Sequence, residues 1–245
     1  MVLLLDMFDI VEIVRPIESG MTRPFLCRLA DGHLYAVKGR AALHHGLIAE
    51  FVAGCLGRQL GLPIPPFIVA HMPRALLHHY PDHDAMSAIG LGPVFASAWQ
   101  ESIQPFTPLT LSIQDPTLMA RLYVFDHWIA NGDRSLTEHG GNPNIFIRLN
   151  GGTPVVIDHN LAFSQDYDAA QELPLHVGRN AWTVWGNRPN FQSEMLDTMD
   201  RVCASWRDIV DHIPDEWLDG QEDFLDRIAA TLERRHTPGF WTELG

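Results

Sequence analysis

Apolar and polar positions alternate through residues 10–38 in three short runs, IVEIVRPI, PFLCRL and HLYAVK, separated by ESGMTR and by Ala30-Asp31-Gly32. Alternation of period two with tight connections predicts an antiparallel meander, and Asp-Gly is a hairpin-grade turn. From His45 to Leu60 the period lengthens. Leu47, Ile48, Phe51, Val52, Cys55, Leu56 and Leu60 recur at helical spacing, which predicts one amphipathic helix closed by Gly61 and Pro63. Glu50 falls off that stripe, on a face with Ala53, Gly54 and Gly57, where small side chains let another element come close. There it can reach Lys38 at the end of the third strand, although the same spacing fits a solvated surface glutamate. Residues 62–116 are proline-rich and irregular apart from a strand at Phe67-Ile68-Val69-Ala70. A second helical period runs over 116–130 through Leu118, Met119, Leu122, Phe125 and Ile129. After Phe163, residues 164–192 read as a polar and aromatic loop at a cleft mouth. Two or three helices, over 193–212 and 220–235, are expected beyond it, separated by Ile213-Pro214-Asp215 and ended by Pro238.

The stretch between Tyr123 and Phe163 organises the rest. Apolar runs at 144–149 and 154–157 flank Asn150-Gly151-Gly152, which predicts a hairpin. A polar loop with Gly132-Asp133-Arg134 precedes it, Asn144 opens it, and Asp158 stands at its exit. An Asp before a hairpin, an Asn at its start and an Asp at its end is the order in which phosphoryl-transfer enzymes of the protein-kinase type place a catalytic carboxylate beside two metal ligands. The fold expected is α+β and two-lobed, like a protein kinase. A small antiparallel β-rich N-terminal lobe with one helix covers 1–100, and a mostly helical C-terminal lobe with the catalytic hairpin covers 101–245.

Phosphoryl transfer needs the triphosphate's charge neutralised and an acceptor hydroxyl aimed at the γ-phosphorus. In this reading Lys38 holds phosphates and Glu50 steadies Lys38. Asp133 orients the acceptor's proton, and Asn144 and Asp158 ligate Mg²⁺, whose preference for hard oxygen donors they suit. The loop Ser19-Gly20-Met21-Thr22 lies where nucleotide phosphates are covered. It carries one glycine where the usual motif has three, so hydroxyls and backbone N–H groups would have to serve. His159, directly after Asp158, is placed near the nucleotide.

The formal net charge of -13 argues against direct nucleic-acid binding, which uses an excess of Lys and Arg. Three cysteines without a CxxC pair point away from disulfide scaffolds and zinc fingers and toward a reducing cytoplasm. The apolar start MVLLLD is too short for a signal peptide, and no run is long enough to span a membrane. Thirteen histidines raise a metallohydrolase as a rival, with His71, His78, His79, Asp82, His83 and Asp84 crowded together. Adjacent His78 and His79 point apart on a regular element, so a solvated loop is the better reading. His127, inside an apolar-periodic helix, reads as a packing residue.

The order of these features resembles the HipA-like kinase family, in particular its short stand-alone branch. The likeness rests on Ser19 to Pro24 with Val37-Lys38, Ala49-Glu50-Phe51 leading into Leu60-Gly61-Leu62-Pro63-Ile64-Pro65, Gly92-Pro93-Val94-Phe95-Ala96-Ser97, Asn131-Gly132-Asp133-Arg134, Asn142-Pro143-Asn144 and Val156-Ile157-Asp158-His159. It implies ATP and Mg²⁺ as cofactors, Asp133 as catalytic, Asn144 and Asp158 as metal ligands and Lys38 as the phosphate-binding lysine. It also implies a protein Ser/Thr substrate and, from family members that act as toxins, a neutralising antitoxin as partner. The chain departs from the kinase pattern in the 11 positions between Asp133 and Asn144, against roughly five in the usual catalytic loop. Residues 135–141 look inserted, and Asn142 competes as ligand. A lipid or small-molecule kinase, or a degenerate kinase fold that only binds nucleotide or protein, uses the same residues.

Overall fold

The computed structural model describes residues 7–18, 22–137, 140–186 and 188–245. Its N-terminal part is a barrel of strands β1 (Phe8–Pro16), β2 (Phe25–Leu29), β3 (Leu34–Lys38), β4 (Phe67–Met72) and β5 (Gly92–Ala98), closed in the order β1-β2-β3-β5-β4. The meander β1 to β3 is antiparallel as the alternation requires, with Phe25 opposite Val37. Closure comes from a short parallel pairing of Phe8 and Asp9 with Ala70 and His71. Strand β5 pairs with both β3 and β4, and periodicity alone did not mark it.

Helix α1 (Leu43–Gln59) links β3 to β4. Every residue from Gly46 to Gly57 is buried, so α1 is not the amphipathic helix expected but one packed on all sides. The small face does admit neighbours: a Cβ on Gly54 would lie 2.5 Å from the Phe67 ring, and one on Gly57 would lie 2.4 Å from Ile64. Between β4 and β5 the His-rich stretch forms α2 (Arg74–His79) and α3 (His83–Ile89) where irregular chain was expected.

A second sheet, β6 (Ile103–Pro105), β7 (Ile145–Arg148) and β8 (Pro154–Val156), contains the expected hairpin, with Ile145 opposite Val156. Gly151 and Gly152 take positive φ in its turn, which glycine tolerates without strain. The short helix α4 (Pro108–Leu111) precedes α5 (Pro116–Trp128), whose residues Met119 to Trp128 are buried save Arg121.

Residues 164–192 are not an open loop. They contain α6 (Ala169–Glu172) and α7 (Arg179–Ala181), and Leu173, Val177 and Trp182 are buried in the apolar cluster that includes α5, with Trp182 stacked on Tyr123 at 5.9 Å. Apolar side chains within the polar stretch draw it onto the core. The C-terminal region is α8 (Pro189–Cys203), α9 (Trp206–Val210), α10 (Asp215–Leu218), α11 (Glu222–Glu233) and α12 (Pro238–Glu243). Pro238 opens α12 behind the Thr237 cap rather than ending a helix, because proline's missing N–H costs nothing in a first turn.

One apolar cluster fills the barrel, built on Ile10, Cys27, Leu29, Val37, Ala70, Met72 and Ala96. The larger one surrounds α1 and α5 and reaches Ile228 and Phe240 near the C-terminus. Among the described residues no helix is long and apolar enough to cross a membrane.

Candidate active site

Lys38 ends β3 opposite Phe95 of β5, and Glu50 comes from the middle of α1. The Lys38 ammonium donates to Glu50 and, at 2.7 Å, to Oδ1 of Asp158, which follows β8 and lies 120 positions away in sequence. Glu50 is 3% exposed, so it is a buried partner and not a solvated charge. Burial alone would drive the proton off Lys38, but the two carboxylates outweigh it and hold its pKa above the ordinary lysine value. Burial pushes Glu50 upward against the pull of Lys38, and the charge of Asp158 adds to the rise. Asp158 goes the other way: burial would raise it, but the adjacent ammonium holds it below the usual carboxylate range.

Asp133, Asn142 and Asn144 form a second group. The Asn144 amide donates to the backbone carbonyl of Asp133 at 2.8 Å and to its Oδ2 at 3.0 Å, while Asn142 donates to Oδ1 at 3.1 Å. Both asparagines therefore converge on one carboxylate. Within the segment that looks inserted, Thr137 pairs with Gly140, and Asn144 stays bonded to Asp133 despite the longer spacing.

Asn144 and Asp158 both adopt left-handed backbone, at φ 48° and 63°. Such positions cost about 1–3 kcal/mol each at a residue with a Cβ and persist only when neighbours over-determine them. The neighbours are visible. Ile157 N–H donates to the Asn144 carbonyl at 3.0 Å, and Arg134 Nη1 donates to the carbonyls of Pro143, Asn144 and Ile157 at 3.1, 3.0 and 3.3 Å. One guanidinium thus joins the loop holding Asp133 to the strand delivering Asp158.

Thr22 is buried, and Ser19, Gly20 and Met21 lie outside the described residues. His159 does not open toward a ligand: its ring is buried, 3.9 Å from Glu50 and edge-on to Phe125 at 6.0 Å. Burial and the charge of Arg134 pull its pKa down to about 3, which keeps the ring neutral behind the carboxylates. His127 is the packing residue expected, bonded to Tyr167 and to the Phe240 carbonyl. Among the described residues no group of three or more His, Cys, Asp or Glu could hold a metal ion by itself.

A family model described as HipA-like kinase matches residues 10–244. This chain belongs to the HipA-like kinase family. Among solved structures it is similar to the Helicobacter pylori proinflammatory kinase CtkA, at 13% identity over 98% of each chain and a TM-score of 0.59. It is also similar to a chain of the Shewanella oneidensis MR-1 HipA, HipB and operator DNA complex, at 11% identity over 95% of this chain and 68% of that one, with a TM-score of 0.53. At these identities the likeness establishes a kinase-like fold of mixed α and β content. No curated protein matches the sequence.

In this HipA-like kinase the supporting residues are those that spacing did not single out. Asp126, buried in α5, accepts from Arg134 Nε at 2.6 Å, from Asn131 Nδ2 at 2.8 Å and from His176 Nε2 at 3.0 Å. Gly178 N–H donates to His176 Nδ1, so the ring hydrogen sits on Nε2 and points at Asp126. Although burial opposes it, the Arg134 guanidinium and the His176 hydrogen bond hold the Asp126 carboxyl far below the usual range. The available signal was a charge in a helix with no polar face, for a buried carboxylate requires partners.

Proposed function

We propose that this protein transfers the γ-phosphate of ATP to a hydroxyl, with a protein Ser or Thr as acceptor. The observation that carries the reading is the 2.7 Å contact between Lys38 and Asp158, with Glu50 on the same ammonium, since three distant segments converge there on a cation and two carboxylates. Two lobes, 1–100 and 101–245, are proposed to flank this cleft.

The donor set fits Mg²⁺ with a triphosphate. Asp158 supplies a carboxylate, and Asn144, whose amide nitrogen is turned to Asp133, has its amide oxygen left as an acceptor. Bound Mg²⁺ would neutralise developing charge on the phosphates. Lys38 stays protonated at neutral pH and would bind phosphate oxygens, with Glu50 fixing the direction of its side chain. Asp133, steadied by two amides, would accept a hydrogen bond from the acceptor hydroxyl and take its proton as the oxygen attacks. Arg134 would hold Asp133 and Asp158 at constant separation through the backbone. By likeness to the chain named with HipB in a toxin–antitoxin complex, a neutralising protein partner and a cytoplasmic setting are proposed as well.

Incubation of the purified chain with labelled ATP, Mg²⁺ and a host lysate tests this directly. Phosphate should appear on protein, and Asp133→Asn should lower transfer by about 100-fold or more while leaving nucleotide affinity within about twofold. A second reading, a fold that holds nucleotide without transferring phosphate, draws support from the occupancy of both Asp133 oxygens by asparagine amides. Saturable MgATP binding by the unsubstituted chain with no labelled product would decide for that reading.

A further inference from the structure

A pocket of about 660 Å³ opens between three segments that are distant in sequence. Arg40 and Leu47 come from the start of the β3 to β4 connection, Met86 and Leu91 from the α3 to β5 region, and Glu216 and Trp217 from α10. The segments are fastened together. Trp217 Nε1 donates to the Pro93 carbonyl at 3.0 Å, and a Cβ on Gly39 would lie 2.0 Å from the Ile89 carbonyl oxygen. The cavity is therefore a fixed feature of the packing.

Its surfaces are of two kinds. Leu47 and Trp217 are buried in the floor, while Leu91 stands at the rim, 50% exposed. The Arg40 stem lies over Gly90, where a Cβ would come within 3.0 Å of the Arg40 Cβ and where φ of +74° calls for glycine. That contact holds the stem while the guanidinium has no hydrogen-bond or ion-pair partner among the described residues. Glu216 has none either, and the two do not pair with each other. In a chain of net charge -13, an unpaired guanidinium beside an apolar hollow marks a place where a carboxylate is attracted rather than repelled. The volume holds about two large apolar side chains with room for the backbone between them, and sites of this size are usually apolar with a few placed polar groups.

We propose that this pocket docks a short peptide segment of a partner protein, one in which adjacent large apolar side chains are followed by an acidic residue. The apolar side chains enter the floor made by Leu47, Met86 and Trp217, and the carboxylate pairs with Arg40. Glu216 favours a basic residue at the other end of the segment. The docking is independent of the phosphotransfer reading, and its test contains no nucleotide, so either can fail alone.

The probe is the capped, fluorescein-labelled peptide Lys-Phe-Leu-Phe-Asp-Asp, titrated with the intact chain at low salt and followed by anisotropy. Saturable binding is expected, weakened about tenfold or more by Arg40→Glu and by Leu91→Asp. Both side chains are exposed, so both variants should keep the parent's melting temperature. A charge-reversed peptide, with Lys in place of each Asp and Asp in place of Lys, should bind Arg40→Glu better than it binds the parent, a result that misfolding cannot mimic. Absence of saturable binding up to about 1 mM overturns the proposal. So does binding that neither substitution alters, and so does displacement of the peptide by an equal concentration of phenylacetate, which would mark a small-acid site.

Discussion

Two clusters of buried charge meet at the candidate site, and they are built to different ends. Lys38, Glu50 and Asp158 come from a strand, a helix and a loop, and two of them keep contact with solvent, Lys38 at 13% and Asp158 at 24% of side-chain exposure. Asp126, Arg134 and His176 are dry, and their bonds run to one another and to backbone carbonyls. Charges that touch water can exchange partners for phosphate or a metal at modest cost. Charges sealed in the interior cannot, because a lost partner leaves a desolvated ion. The open cluster therefore suits ligand exchange, and the sealed one suits holding the geometry in which exchange occurs.

Arg134→Ala should break this division most severely. It leaves the Asp126 carboxylate buried without its cation and removes the donor shared by the Pro143, Asn144 and Ile157 carbonyls. Unfolding free energy should fall by about 3–5 kcal/mol in urea titration. Arg134→Lys should recover only part of it, since an ammonium cannot reproduce the fork of donors. A loss below about 1 kcal/mol would mean that water or a shifted side chain takes over the partnership, and the sealed cluster would then be no framework.

The same contrast explains what was legible in the sequence. The meander, the hairpin and the order of Lys38, Glu50, Asp133, Asn144 and Asp158 were readable because each follows from a local pattern: alternation, a turn of Asn-Gly-Gly, or a polar residue at the edge of an apolar run. Whether Glu50 faced water or Lys38 was not, for helical spacing tells which face a residue occupies but not what covers that face. Strand β5 and the parallel closure of β1 on β4 depend on distant pairing that leaves no local mark. Trp182 was unreadable for a related reason, being an apolar anchor in a polar stretch whose docking place is α5, some sixty residues earlier. Asp126 left one faint mark, a charge in a helix without a polar face, while its pairing with His176, 50 positions away, is set by three-dimensional packing.

Acid should separate the clusters by a smaller margin. His127 lies on α5 next to Asp126; burial and, after it, the charge of Arg234 lower its pKa to about 3. In the unfolded chain the same ring titrates near 6.5. Between those values the unfolded chain binds the extra proton, so stability is fully present above about pH 6.5 and declines as pH falls toward the folded value. From pH 7 to 5.5 this ring alone should cost about 1 kcal/mol; His159, lowered to about 3 as well, adds a similar cost, so His127→Gln should roughly halve the fall in melting temperature over that interval. Asp126 runs on another schedule. Its folded pKa is depressed, so its contribution holds down to about pH 4 and fades only below. A melting temperature that rose on acidification to pH 5.5 would contradict the assignment of His127.

Glu50→Gln should move stability least, and for that reason it tests the open cluster most sharply. Burial and the charge of Asp158 already raise the Glu50 pKa, so its ionised form is costly to hold, and glutamine keeps its shape together with an oxygen that accepts from Lys38. Lys38 is not abandoned, for Asp158 remains 2.7 Å away, and unfolding free energy should stay within about 1 kcal/mol of the parent. The ammonium would then lean wholly on Asp158, the carboxylate that the site needs for its metal. Half-saturation by MgATP in a fluorescence titration should therefore rise about fivefold while the melting temperature hardly moves. If the substitution instead unfolded the chain as Arg134→Ala is expected to, Glu50 would belong with the sealed charges, and the distinction between exchange and framework would have to be redrawn around α1.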